Sequence, residues 1–146
     1  MFKFEKTIHI NRSPQEVFDT MCDPALAPKW RDSAISGAWT SDGPVGVGST
    51  QKTVGKILGR EMESISEVTV WDPPNEFGWK ALGGPIPFEA SQKFESKEGG
   101  TQVTFSGWAE IGGFFNLAEG LVGKQLEKTM DKDMRGLKAY LEGSQD

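Results

Sequence analysis

The C-terminal part of the chain carries the feature that most constrains its fold, a single long apolar stripe. Between Phe114 and Leu141 the apolar residues recur at three- and four-residue steps, which is the spacing of one helix face. The stripe consists of Phe114, Ala118, Leu121, Val122, Leu126, Met130, Met134, Leu137 and Leu141. Charged residues, among them Asp131, Lys132 and Asp133, are expected on the opposite face. A helix spanning about 40 Å would need an equally long apolar surface to cover its stripe.

The rest of the chain can supply that surface, because most of it has the pattern of β-strands. Alternation of Phe2, Phe4, Ile8 and Ile10 with polar residues predicts a strand over residues 2–11. Turn residues separate further strands, predicted at 34–40, 49–58, 60–71, 76–82, 88–96 and 101–110. Because no crossover helices lie between these segments, we expect an antiparallel meander.

Two short helices are predicted between the first and second strands. Ser13 can cap a helix that has Pro14 at its first position, and Glu16 completes a capping box. A second cap-then-proline pair, Asp23-Pro24, predicts another short helix. Pro28 should limit this second helix, so Trp30 is expected just beyond its end.

Length and charge narrow the class of protein. A chain of 146 residues is expected to form one domain over 1–146, and a formal net charge of -5 disfavours nucleic acid and anionic membrane surfaces. The lone Cys22 fits a reducing compartment. Since neither a signal peptide nor an apolar run of about 20 residues is visible, we expect a cytoplasmic protein without integral membrane association. The oligomeric state is left open.

Several stretches carry a family resemblance through their order and spacing. They are Ile8-His9-Ile10 leading to Ser13-Pro14-Gln15-Glu16-Val17-Phe18, Asp23-Pro24 leading to Trp30, Glu67-Val68 with Trp71-Asp72-Pro73-Pro74 and Phe77, and Gly99-Gly100-Thr101-Gln102-Val103-Thr104. Together they resemble the helix-grip domains of the START/Bet v 1-like (SRPBCC) superfamily. The polyketide cyclase/dehydrase-like group of that superfamily is the most similar.

The resemblance implies an α+β helix-grip fold, in which a curved seven-stranded antiparallel sheet wraps around the long C-terminal helix. It also implies a deep cavity between sheet and helix. Members of the superfamily use such a cavity for lipids, sterols, polyketides, quinones and plant hormones. Some members are cyclases or aromatases, and many only bind or carry their ligand.

Strand parity and aromatic content predict which residues face this cavity. In the segment 60–71, Met62, Ser64 and Ser66 share a face opposite to that of Glu61 and Glu67, so the first three should point inward. The complete predicted ligand-binding set is Trp30, Trp39, Met62, Ser64, Ser66, Trp79, Phe88, Gln92, Phe105, Phe115 and Val122. The alternative for each aromatic residue is plain core packing.

No residue is predicted to be catalytic. The inward hydroxyls and the amide can orient a carbonyl or phenol, but they are weak acids and bases. His9 should face away from the apolar side of its strand, and no ligand cluster with metal spacing is visible, so neither a metal nor a cofactor is expected. Arg60 should lie at the rim of the cavity, whereas some aromatase/cyclases of the superfamily have an arginine inside. Whether Arg60 or Arg31 reaches the cavity mouth is left open.

These residues favour a protein that binds a small hydrophobic ligand without catalysing a reaction. The alternative is a polyketide cyclase/dehydrase-like enzyme that acts on an aromatic or polyketide substrate. A partner-binding domain is a third hypothesis, which an exposed apolar patch at Phe114 and Phe115 would favour. The loop 83–87, with Ile86 between two prolines, and the segment 112–115 are candidate gates of the cavity.

Overall fold

The protein folds into one seven-stranded antiparallel sheet with the strand order β1-β7-β6-β5-β4-β3-β2. This computed structural model describes residues 1–111 and 119–143, without the side chain of Glu119. The strands are β1 (Phe2–Ile10), β2 (Ala34–Trp39), β3 (Thr50–Ile57), β4 (Arg60–Asp72), β5 (Glu76–Gly83), β6 (Phe88–Lys97) and β7 (Gly100–Ala109). Each strand from β2 onward pairs with the next one, and β1 closes the order against β7. The expected α+β helix-grip fold is confirmed.

Two short helices connect β1 to β2, as predicted. Helix α1 (Pro14–Met21) begins after Ser13, whose hydroxyl oxygen accepts a hydrogen bond of 3.3 Å from the Glu16 amide. A 3₁₀ turn (Pro24–Leu26) leads directly into α2 (Ala27–Trp30). The expectation that Trp30 lies beyond the helix was wrong. Pro28 falls in the first turn of α2, where the amide hydrogen that proline lacks has no intrahelical partner.

An aromatic cluster joins α1 to the sheet. The ring of Phe18, which is 2% exposed, lies 5.2 Å from Trp71 and 5.2 Å from Phe94. Both contacts are edge-to-face, an arrangement that aromatic quadrupoles favour. Trp39 extends the cluster through a perpendicular contact with Trp71, at 6.4 Å between ring centroids.

The long C-terminal helix, α3 (Glu119–Lys138), continues into a π-helical turn (Ala139–Gly143). The start that the sequence predicts for this helix, near Phe114, lies outside the described residues. Val122, Leu126, Met134 and Leu137 are buried as the stripe predicts. Two predictions about the faces of α3 were wrong. Leu121, expected in the buried stripe, is 63% exposed, and Asp133, expected on the outer face, is only 7% exposed.

Hydrogen bonds attach the end of α3 to the first strand. Lys138 Nζ donates to the carbonyl oxygen of His9 at 2.7 Å and to the Glu142 carboxylate at 2.7 Å. The same carboxylate accepts from the Asn11 amide at 2.8 Å. The helix is therefore held at its C-terminal end by polar contacts as well as by its apolar stripe. Among residues 1–111 and 119–143, no helix combines the length and apolar character needed to cross a bilayer.

Candidate ligand-binding cavity

A cavity of about 290 Å³ lies between the concave face of the sheet and α3. A row of stacked rings forms part of its wall: Phe77 stacks on Trp79 at 4.8 Å, and Trp79 stacks on Phe105 at 6.0 Å. The short helices contribute Met21 and Trp30, and α3 contributes aliphatic side chains. The wall is mostly apolar and aromatic, so it suits a ligand with a flat or hydrocarbon body.

Most of the predicted ligand-binding residues lie on the wall of this cavity. They are Trp30, Met62, Ser64, Ser66, Trp79, Phe88, Gln92 and Phe105. The strand residues reach it because successive side chains alternate between the two faces of the sheet, as parity predicted. Whether these side chains contact a ligand remains a prediction.

Three members of the predicted set are not on the wall that the structure describes. The ring of Trp39 packs on Trp71 in the aromatic cluster around Phe18. Val122 is 1% exposed and packs with Ala109 and Leu126 in a second apolar cluster. Phe115 lies outside the described residues.

The structure also brings a partly buried ion pair to this site, which strand parity could not reveal. Arg31 follows α2 and lines the cavity, and its Nε lies 3.6 Å from Oδ2 of Asp133 on α3. The same Oδ2 accepts a hydrogen bond of 2.8 Å from the hydroxyl of Ser33. The Arg31 guanidinium carbon lies 4.9 Å from the centroid of the Trp30 ring, in a cation–π contact.

A signal for the buried aspartate was present in the helical spacing. Asp133 follows Met130 by three residues and precedes Leu137 by four, so it lies inside the apolar stripe. Its charge, and the charged residues beside it in the sequence, instead favour the outer face. A charged residue is buried only with a partner, and the partner here is distant in sequence.

Burial shifts the ionisation of the side chains at this site. It raises the pKa of Asp133, while Arg31 and the hydrogen bond from Ser33 act in the opposite direction. Burial lowers the pKa of Arg31, which Asp133 partly offsets, and 31% of the arginine side chain remains exposed. Burial also raises the pKa of the Cys22 thiol, so this cavity-lining cysteine is a poor nucleophile.

The wild type is expected to lose stability as the pH rises because Asp133 must ionise in a buried position. Asp133→Asn should abolish this contribution, because asparagine does not ionise. Because the pKa of Asp133 is raised above its ordinary value of 3.8, the folded protein retains a proton that the unfolded chain releases. The stability from this proton is full below the unfolded pKa and is lost as pH rises through the folded pKa. Urea titrations from about pH 3.5 to about pH 7 should show the wild type losing stability relative to the asparagine variant.

Comparing the wild type with the asparagine variant cancels the pH dependence that arises from the other carboxylates with shifted pKa values. Hydrogen bonds from Lys132 and Lys138 lower the pKa values of Asp32 and Glu142, and these pairs are present in both proteins. A stability difference that stays constant across the pH range would contradict a raised pKa for Asp133.

Arg60 and Arg31, the two arginines that could reach the cavity mouth, differ in their position relative to the cavity. Arg60 begins β4 as an exposed residue and is not among the cavity-lining residues, whereas Arg31 is. Of the candidate gates, the loop 83–87 contributes Pro85 and Ile86 to the cavity wall. The other candidate gate, 112–115, lies outside the described residues.

The sequence matches one family model along nearly its whole length. Residues 1–142 match the family described as polyketide cyclase/dehydrase and lipid transport. The chain belongs to this family. The family match supports a ligand-binding domain in general terms, and it confirms the superfamily that the sequence stretches resemble.

Similar proteins agree with this placement. The protein Rv2574 of Mycobacterium tuberculosis (strain ATCC 25618 / H37Rv) is 26% identical over 148 residues, which cover 95% of this chain and 84% of Rv2574. The structure of TTHA0849 from Thermus thermophilus superposes with a TM-score of 0.81 at 17% identity, covering 99% of each chain.

Two further solved structures share the fold. A START superfamily protein from Mycobacterium smegmatis has a TM-score of 0.79 at 14% identity and 97% coverage of each chain. The ginseng major latex-like protein 151 from Panax ginseng has a TM-score of 0.76 at 15% identity. That match covers 95% of this chain and 96% of the ginseng chain. At these identities the structural likeness establishes the fold.

Proposed function

We propose that this protein binds a small hydrophobic molecule, of lipid, polyketide or aromatic type, in the cavity between the sheet and α3, without catalysing a reaction. The observation that carries the proposal is the cavity itself, with its stacked row of Phe77, Trp79 and Phe105. Its volume of about 290 Å³ is near the lower end of the range typical of ligand pockets. The family description, which includes lipid transport, agrees with this function.

The energetics of cavities also support an occupant. Protein interiors are normally packed as densely as organic crystals, and residual core cavities cost roughly 24 cal/mol per Å³. Small side chains such as Ser64, Ser66 and Ala90 lie on the wall where larger ones would reduce the space. A ligand that fills this space would recover the dispersion contacts that the wall lacks when empty.

A matched pair of variants tests this proposal. Ser64→Phe would place a ring inside the cavity, whereas Glu63→Phe would place the same ring on the outer face of β4. We expect Ser64→Phe to weaken binding of the neutral fluorescent probe N-phenyl-1-naphthylamine by at least about tenfold, and Glu63→Phe to change it by less than about twofold. Equal affinities for both variants would contradict binding in the cavity. Native mass spectrometry of freshly purified protein should detect a retained small molecule.

An enzyme similar to polyketide cyclases and dehydrases is the second candidate. The pair of Arg31 and Asp133 favours it, because the pair places a guanidinium and a carboxylate at the junction of the cavity and the adjoining helix α3. Incubation with a linear poly-β-ketone should then give a cyclised product that has lost water, detectable by mass spectrometry. Asp133→Asn should reduce its rate of formation at least about tenfold. Unchanged substrate would leave the binding function as the only candidate.

A further inference from the structure

Four buried polar atoms near the junction of α2, β6 and α3 have no hydrogen-bond partner in the part of the chain that the structure describes. They are Trp30 Nε1, Arg31 Nε, Gln92 Oε1 and Asp133 Oδ1. The residues Trp30, Gln92 and Asp133 are only 5%, 2% and 7% exposed. Arg31 Nε faces Asp133 Oδ2 in the ion pair, but the other three atoms have no partner. Because an unpaired buried polar group is destabilising, three of them at one place require an explanation.

These four residues line one chamber. It has a volume of about 150 Å³ and shares Trp30, Arg31 and Gln92 with the wall of the main cavity. Asp133 belongs to the wall of this chamber but not to that of the main cavity. Ser33 and Arg31 both approach Oδ2 of Asp133, which leaves Oδ1 of the same carboxylate available. The residues that line the chamber therefore carry one donor, Trp30 Nε1, and two acceptors, Gln92 Oε1 and Asp133 Oδ1, beside an apolar cavity.

We propose that this chamber is a subsite for a neutral hydroxyl group of the bound molecule, an alcohol or a phenol. The hydroxyl oxygen accepts a hydrogen bond from Trp30 Nε1, and its hydrogen is donated to Gln92 Oε1 or Asp133 Oδ1. This subsite rests on the proposed binding function, because the hydroxyl belongs to the molecule that occupies the main cavity.

The mixture of donors and acceptors selects a hydroxyl among the common polar groups. A carboxylate only accepts hydrogen bonds, and it would place a second negative charge beside Asp133. An ammonium group only donates, and it would face the charge of Arg31. A ketone would leave both acceptors, on Gln92 and Asp133, unpaired. Since Arg31 and Asp133 already balance each other in charge, a neutral group fits best.

Three probes on one ring skeleton test the subsite. At about pH 7, 2-naphthol presents a neutral hydroxyl, 2-methylnaphthalene presents a methyl group and 2-naphthoate presents a carboxylate. We expect calorimetry or tryptophan quenching to show 2-naphthol binding at least about tenfold more tightly than 2-methylnaphthalene, because only the hydroxyl can form hydrogen bonds with the buried polar atoms of the chamber. The affinity of 2-naphthoate should be the lowest of the three.

Two variants identify the atoms responsible. Gln92→Leu removes an acceptor at similar volume, and Trp30→Phe removes the indole N–H while keeping an aromatic ring. Each should reduce the preference for 2-naphthol over 2-methylnaphthalene at least about threefold, without weakening the binding of 2-methylnaphthalene to the same extent. Met62→Leu, on the apolar wall, is the control, and it should change both affinities alike. Circular dichroism and thermal unfolding establish that each variant is folded.

The outcomes separate this subsite from the proposed function. Equal affinity for 2-naphthol and 2-methylnaphthalene, tightest binding of 2-naphthoate, or an unchanged preference in both folded variants would overturn the subsite while leaving ligand binding intact. If the wild type bound none of the three probes, both proposals would be overturned.

Discussion

Replacing Leu137 by alanine should lower the free energy of unfolding by about 2–5 kcal/mol, whereas replacing Leu121 by alanine should change it by less than about 0.5 kcal/mol. Both leucines lie on α3 and both belong to the apolar stripe that the sequence predicts. Leu137 is 0% exposed and belongs to the main core cluster, so its truncation leaves a cavity. Leu121 is 63% exposed and loses little on truncation.

Urea unfolding followed by circular dichroism measures both changes. The pair is matched in residue type, substitution and helix, so differences in helix propensity are small. Similar losses of stability in the two variants would contradict the placement of Leu121 on the solvent side of α3.

Alanine substitutions at two glycines of the same helix should differ in their effect on stability, because only one of them destabilises the protein. A Cβ atom at Gly136 would overlap the carbonyl oxygen of Trp30, a backbone atom that cannot rotate away. Gly136→Ala should therefore destabilise the protein by about 1–3 kcal/mol in spite of its better helix propensity. Beyond its chain neighbours and the backbone of its own helix, no described residue lies within 4 Å of the Cβ position of Gly120, so Gly120→Ala should be neutral or stabilise by up to about 1 kcal/mol.

The same unfolding measurements test this second pair. Stabilisation by both alanines would show that α3 does not need to approach Trp30 closely. Gly136→Ala is also expected to alter the fluorescence of Trp30, because the helix or the end of α2 must shift to make room.

The close approach at Gly136 links the fold to the candidate site. Gly136 follows Asp133 by three residues, so both lie on one face of α3. The contact between Gly136 and Trp30 holds the helix against the end of α2, where Arg31 and Ser33 follow. The carboxylate of Asp133 can then reach both of them. Gly136→Ala, which forces α3 away from the end of α2, therefore also tests whether this close approach is needed to assemble the polar chamber.

Much of the fold and of the cavity wall could be predicted because the relevant signals are local. Alternation along each strand placed Met62, Ser64 and Ser66 on the inner face, and pairing of neighbouring strands preserved that face across the sheet. Capping residues such as Ser13 located the helix starts in the same way. These features depend on residues that are close in sequence, or on a regular repeat.

The sequence by itself determined the order of the elements, the curved sheet around a long helix and the apolar character of the inner face. Only the tertiary structure decided that Trp39 packs on Trp71 instead of on the cavity wall, that Leu121 faces solvent and that Asp133 is buried beside Arg31. The physical reason is that periodicity defines a face of a helix or strand, but not what that face meets. Ser33, which donates to Asp133, lies 100 residues away in the chain, and only the packing of α3 against α2 brings the two together.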